Sequence, residues 1–226
     1  MTRPGHPLAF VLWMLLAPLA QGQARAIVPD LGTVADAAGW RIYNAFPEAL
    51  AADGRRAVRL TGTSDSALGK VGLALVDGVA FDTGTIEVEL KGRNVRGRSF
   101  LGVAFNVAGE TQFEAVYFRP FNFKADDVFR RRAVQYIAWP DFTWERLRRE
   151  RPETFEGPID PVPDPDGWFR ARVDVTATHV RVYVNAAATP TLVVERQPTG
   201  GRGRQVGLFV DASDGIFANF RVTPNP

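Results

Sequence analysis

The residues best suited to chemistry lie between Tyr117 and Glu150, where "YFRPFNF" (117–123) runs into "KADDVFRRRAVQYIAWPDFTWERLRRE". A sugar ring offers an apolar C–H face and a rim of hydroxyls. Flat amphipathic rings match the first, and planar side chains with several donors match the second. Tyr117, Tyr136, Trp139 and Trp144 would supply the rings; Arg119, Asn122, Gln135 and Arg146 would supply the hydrogen bonds. The neighbouring Phe118, Phe121, Phe123, Phe129 and Ile137 are assigned to packing. For Tyr136, Trp139, Trp144 and Arg119, packing and ligand contact both stay open, because an arginine stacked on an aromatic also stabilises a loop.

Hydrolysis of a glycosidic bond needs two carboxylates, about 5–5.5 Å apart for retention or about 6.5–9.5 Å for inversion. Glu87 and Glu89 share one strand face about 7 Å apart, twice the rise per residue. Glu114 and Asp141 complete the set of catalytic candidates. The preferred reading of Glu87 and Glu89 is cross-strand ion pairing on a solvated sheet face with Arg170, Arg172 and Arg181. Asp160, Asp164 and Asp166 in "DPVPDPDG", and Asp211 and Asp214 in "DASDG", set hard oxygens beside glycine turns. Calcium is the one metal such loops suit. No other cofactor is expected: there is no cysteine, and of the two histidines His6 falls in the leader and His179 at a turn. That inventory leaves no material for a Ser-His-Asp triad or a histidine-ligated zinc site.

The chain has 226 residues, 46% hydrophobic and 23% charged, enough for one large all-β domain. A net charge of +2 gathers no basic face, so nucleic acid is not an expected partner. Arg3, an apolar stretch from Leu8 to Ala20 and small residues up to Ala24 read as a secretory signal peptide over 1–24, with the mature protein secreted or periplasmic and not inserted in a membrane.

Residues 25–56 read as a lead-in, and 57–226 as the domain. "TGTIEVELKG" alternates with Ile86, Val88 and Leu90 on one side; "RSFLGVAFNV" does so with Leu101, Val103, Phe105 and Val107. "WFRARVDV" and "HVRVYVN" alternate about the turn "TATH". "TQFEAVYFRP" carries apolar groups on both sides. Short alternating strands separated by Gly and Pro indicate an antiparallel sandwich. Residues 120–167 read as a long insertion between core strands; a loop of that length inside a compact domain is usually functional or disordered, and the four aromatics from Tyr136 to Trp144 favour the first. "TWERLRRE" is the single helical candidate.

The later strands, "DGWFRARVDVTATHVRVYVN", "TPTLVVERQ" and "GRQVGLFVDASDGIFANFRV", resemble the second half of a concanavalin A-like (lectin/glucanase, laminin-G-like) jelly roll. "EAVYFRPFNF" and "AVQYIAWPDFTWERLR" look like the middle of the secreted bacterial 3-keto-disaccharide hydrolase-type domains. The resemblance implies an all-β jelly-roll sandwich and a carbohydrate-related role outside the cytoplasm. The E-x-D-x-x-E strand of the fold's retaining glucanases is missing. The expected function is therefore lectin-like carbohydrate binding. A hydrolase of 3-keto-disaccharide type and a laminin-G-like protein-interaction module are the alternatives.

Overall fold

The computed structural model describes residues 1, 25–63, 71–201, 203–211 and 213–226; apart from Met1, the expected leader lies outside them. Among the described residues, fourteen strands form two antiparallel seven-stranded sheets laid face to face. The first sheet runs β12 (Leu192–Glu195), β11 (His179–Val184), β10 (Trp168–Val175), β5 (Gly84–Lys91), β14 (Asp214–Pro224), β3 (Arg55–Gly62) and β2 (Ala45–Ala52). The second runs β1 (Trp40–Tyr43), β4 (Gly72–Val76), β13 (Gln205–Val210), β6 (Leu101–Gly109), β7 (Gln112–Phe118), β8 (Val134–Trp139) and β9 (Glu156–Gly157). This is the concanavalin A-like jelly-roll sandwich, an architecture in which each sheet buries one face on the other.

The first sheet has one wet face. In β5, Ile86, Val88 and Leu90 are buried while Glu87 and Glu89 are half-exposed, and β10 and β11 repeat the alternation in register with it. The second sheet is covered on both sides: β4 is buried throughout, and β7 and β8 at every position but one each. Phe118 meets Phe169 of the opposite sheet edge-on, with centroids 5.1 Å apart. Its neighbour Tyr117 must therefore point away from the sandwich interior. There it stacks on Phe209 at 5.4 Å and meets the edge of Phe100.

Two segments do more than their sequence suggests. Residues 25–56 contribute β1 and β2, one edge strand of each sheet. Within 120–167, β8 and β9 extend the second sheet, and the short helices α1 (Asp127–Arg130) and α2 (Trp144–Glu150) flank β8. The segment is thus part of the sheet as well as a cover for it. "VQYIAW" hides this because its two faces are both apolar, leaving no period-2 signal. Gly102 allows β6 to approach β7 closely: a Cβ there would lie 2.0 Å from the Val116 carbonyl oxygen.

Candidate functional site

On the far face of the second sheet, where Tyr117 points, lies a cleft of about 610 Å³. Its floor is Tyr117 from β7 and Ile137 and Trp139 from β8; Trp144, Glu145 and Arg148 of α2 form one wall. Arg96, Phe100, Phe129 and Asp211, just past β13, complete the lining. Thr143 caps α2, its Oγ1 accepting from the Arg146 N–H at 3.4 Å. That cap fixes the start of the helix, so successive positions place Trp144 and Glu145 at the rim, while Leu147 is buried.

Arg119 is the organising cation. Its guanidinium is almost fully buried, donates through Nη2 to the Tyr117 hydroxyl at 2.8 Å and through Nη1 to the Arg132 carbonyl at 3.0 Å, and lies 4.9 Å over the Tyr117 ring. Behind it Glu156, also buried, gathers three arginines: Arg148 in a two-pronged pair at 2.8 and 2.5 Å, Arg132 at 3.8 Å and Arg119 at 3.9 Å. Burial pushes the Tyr117 phenol up to about 12, so it stays a neutral hydroxyl.

Asp211 is the most unusual polar group in the cleft. Its Oδ1 is shielded from solvent and has no hydrogen-bond partner among the described residues. Burial raises its carboxyl to about 6, against an opposing pull from Arg119 and with a smaller push from Glu145. A buried acceptor with no partner is costly to keep, and functional sites are where such groups concentrate.

Of the eight ring and hydrogen-bonding residues expected at a ligand site, five line this cleft: Tyr117, Arg119, Asn122, Trp139 and Trp144. Trp139 is half-buried, stacked on Phe113 at 6.2 Å, and Trp144 is exposed with the Arg148 guanidinium 4.6 Å over it. Asn122 is buried and donates to the Arg132 carbonyl. Three residues lie elsewhere. Gln135 sits beneath Arg119, accepting from it and donating to the Phe155 carbonyl. Arg146 is held by Glu150 one turn on and lies over Phe142. Tyr136 points to the sandwich interior, the face opposite to its neighbour Ile137.

There Tyr136 donates to Glu114 Oε2 at 2.6 Å, and Arg196 closes on the same carboxylate at 2.5 Å, with Asn106 Nδ2 at 2.9 Å. Glu114 is thus a fully bonded buried acceptor at the opposite end of β7, beside a second cleft of about 660 Å³. The Tyr136 phenol is driven well above its usual range, first by burial and then by Glu114. Asp141 is exposed on the turn between β8 and α2. Glu87 pairs with Arg170 and Glu89 with Arg55 at 2.6 Å on the wet face of the first sheet. Arg172 instead lies over Tyr183 at 3.9 Å and reaches Asp174.

The acidic turns are dispersed. Asp160, Asp164 and Asp166 are all exposed; Asp166 accepts from the Asn94 N–H at 2.8 Å and Asp164 from the Asp166 N–H. Asp214 is paired with Arg93 and Arg59. Among the described residues no three acidic or imidazole side chains converge on a point that a metal ion would occupy, and no helix is long and apolar enough to cross a membrane.

The charged and aromatic cleft residues that sequence reasoning passed over are Arg96, Phe100, Arg132, Glu145, Arg148 and the role of Asp211. Glu145 and Arg148 were legible as one side of "TWERLRRE", three positions apart on a helix. Arg96 and Asp211 sit in loops more than a hundred residues apart in sequence, and only the sandwich brings them to one cleft.

No sequence-family model and no curated protein matches the chain. Solved structures share its fold. The carbohydrate-binding module CBM66 from Bacillus subtilis is 14% identical with a TM-score of 0.53, covering 82% of this chain and 96% of its own. A Bacillus subtilis protein of unknown function with a galectin-like fold is 13% identical at TM-score 0.53, covering 86% and 93%. The exoplasmic/lumenal domain of VIP36, in its Ca2+- and Man-bound form, is 11% identical at 0.52, covering 91% of each. Similarity at this level establishes the jelly-roll architecture, which hosts many functions.

Proposed function

We propose that the protein binds carbohydrate non-covalently in the cleft floored by Tyr117 and Trp139. The observation that carries this reading is the pairing of flat aromatic walls with an unsatisfied Asp211 acceptor in one concavity of about 610 Å³. Trp144 and Trp139 offer the C–H face of a sugar a stacking surface. The Tyr117 hydroxyl already accepts from Arg119, so its own proton is available to a ligand oxygen. A sugar hydroxyl bound beside Asp211 would satisfy Oδ1 and repay its desolvation. Carbohydrate-binding structures among those sharing the fold support the same reading. The leader expected over 1–24 puts this binding outside the cytoplasm.

A glycan array probed with the purified protein tests the reading, repeated with Trp144→Ala and Trp139→Ala. Retention of a glycan by the native protein and its loss in both variants is the expected result; no retention of any glycan refutes it.

One observation favours hydrolysis as the second reading. A carboxyl raised to about 6 can hold a proton for a leaving group, and Glu145 on the wall of the same cleft is the second carboxylate. Turnover of a retained oligosaccharide, abolished by Asp211→Asn with retention intact, would establish it.

A further inference from the structure

We propose that the preferred ligand of this cleft is an acidic glycan, one whose sugar rings carry carboxylates of the uronic-acid type. The inference rests on the carbohydrate-binding reading and adds the charge of the ligand to it. Four guanidinium groups, Arg96, Arg119, Arg132 and Arg148, line the cleft. Against them stand Glu145 and Asp211 in the lining and Glu156 behind it, a surplus of one positive charge with every carboxylate ionised.

The surplus is not spread evenly. Glu156 is committed to Arg148 through both oxygens, which leaves Arg119 and Arg132 only at 3.9 and 3.8 Å from it. Arg96 is exposed at the rim, stacked 4.0 Å over Phe129, with no acidic partner among the described residues. Stacking holds a guanidinium in place without consuming its hydrogen-bond donors, and a planar guanidinium fork matches a carboxylate's two oxygens. A neutral sugar would leave that rim donor to water. A free inorganic anion would satisfy the charge but leave the rings of Trp139 and Trp144 unused, so the two features together select a sugar that carries its own carboxylate.

Asp211 and Glu145 both line the cleft and work against an anion, and Asp211 changes the outcome with pH. The groups that face it are Arg119 from the end of β7, Glu145 from α2 and Tyr117 from the floor. Because its carboxyl titrates near 6, mild acid removes its charge and turns it from a repelling acceptor into a hydrogen-bond donor. The net charge of the site then rises by one. Affinity for a carboxylate ligand should therefore climb as pH falls from 7.5 to 5, while affinity for a neutral glycan should not.

The test is calorimetric titration of the purified protein with trimers of galacturonate, glucuronate and mannuronate, each beside its carboxyl-reduced counterpart, at pH 7.5 and pH 5. At least one acidic trimer is expected to bind about tenfold or more tighter than its reduced form, equivalent to about 1.4 kcal/mol. Arg96→Gln, at an exposed position, should leave the thermal transition in place and erase most of that preference. Asp211→Asn should make acidic binding independent of pH over this range. Equal affinity for acidic and reduced trimers, or tighter binding of the reduced forms, overturns the inference while leaving the carbohydrate reading intact. Binding of neither class also overturns the inference, and retention on the glycan array then decides the carbohydrate reading separately.

Discussion

Replacing Asp211 by Asn should make the protein more stable at neutral pH, an unusual outcome for a substitution in a binding cleft. The carboxyl is raised from 3.8 to about 6 chiefly by burial. A folded state that holds its proton more tightly than the unfolded chain gains stability in acid: the gain is complete below about 3.8 and is lost as pH rises through about 6. At pH 7.5 the ionised group therefore costs about 2–3 kcal/mol relative to a neutral one, from about 1.36 kcal/mol per pKa unit. Asn keeps the shape and cannot ionise. In a domain of this size that difference corresponds to a rise of about 4–12 °C in Tm, at about 2–4 °C per kcal/mol. Urea unfolding of both proteins at pH 4 and 7.5 reads it directly. The variant should be the more stable at pH 7.5, and the gap should shrink toward pH 4. A variant less stable at pH 7.5, or a gap that does not change with pH, would show that Arg119 compensates the buried charge and that Asp211 is an ordinary ion-pair member. A buried charge that costs stability and is nonetheless kept in a cleft is the signature of a group retained for function.

Removing the Glu114 charge tests the buried network in the opposite sense: Glu114→Gln should cost about 3–5 kcal/mol by leaving the Arg196 guanidinium without its counter-charge, whereas Glu89→Gln on the wet face should cost about 1 kcal/mol or less, both read by urea unfolding. Thr143→Ala should fray α2 for about 1 kcal/mol and weaken glycan retention through Trp144 and Glu145, an effect that titration calorimetry separates from global unfolding. Gly102→Ala should destabilise by about 1–3 kcal/mol or more, because the added methyl meets the Val116 carbonyl, a contact that only a shift of β6 against β7 can relieve. Trp144→Ala, at an exposed ring, should leave Tm within a few degrees while abolishing retention on the array.

Alternation made the first sheet readable from sequence. Ile86-Val88-Leu90 and Phe169-Ala171-Val173 announce a half-buried strand because water lies on one side only, and the solvated partners Glu87 and Arg170 find each other by that same rule. The second sheet is buried on both sides, so β8 carries no period and was legible only as an aromatic segment, not as a strand. The aromatic and arginine composition of 117–148 pointed to the right region for the cleft. Which rings face it was a matter of parity: Tyr117 and Trp139 fall on the outer face, and Tyr136 falls on the inner, where it serves Glu114. Sequence therefore determined the sandwich and the chemical character of its cover. Only tertiary structure decided that Asp211 would be desolvated beside Arg119 and that Arg96 would share a cleft with α2, because burial and electrostatic proximity arise between residues that the chain itself keeps far apart.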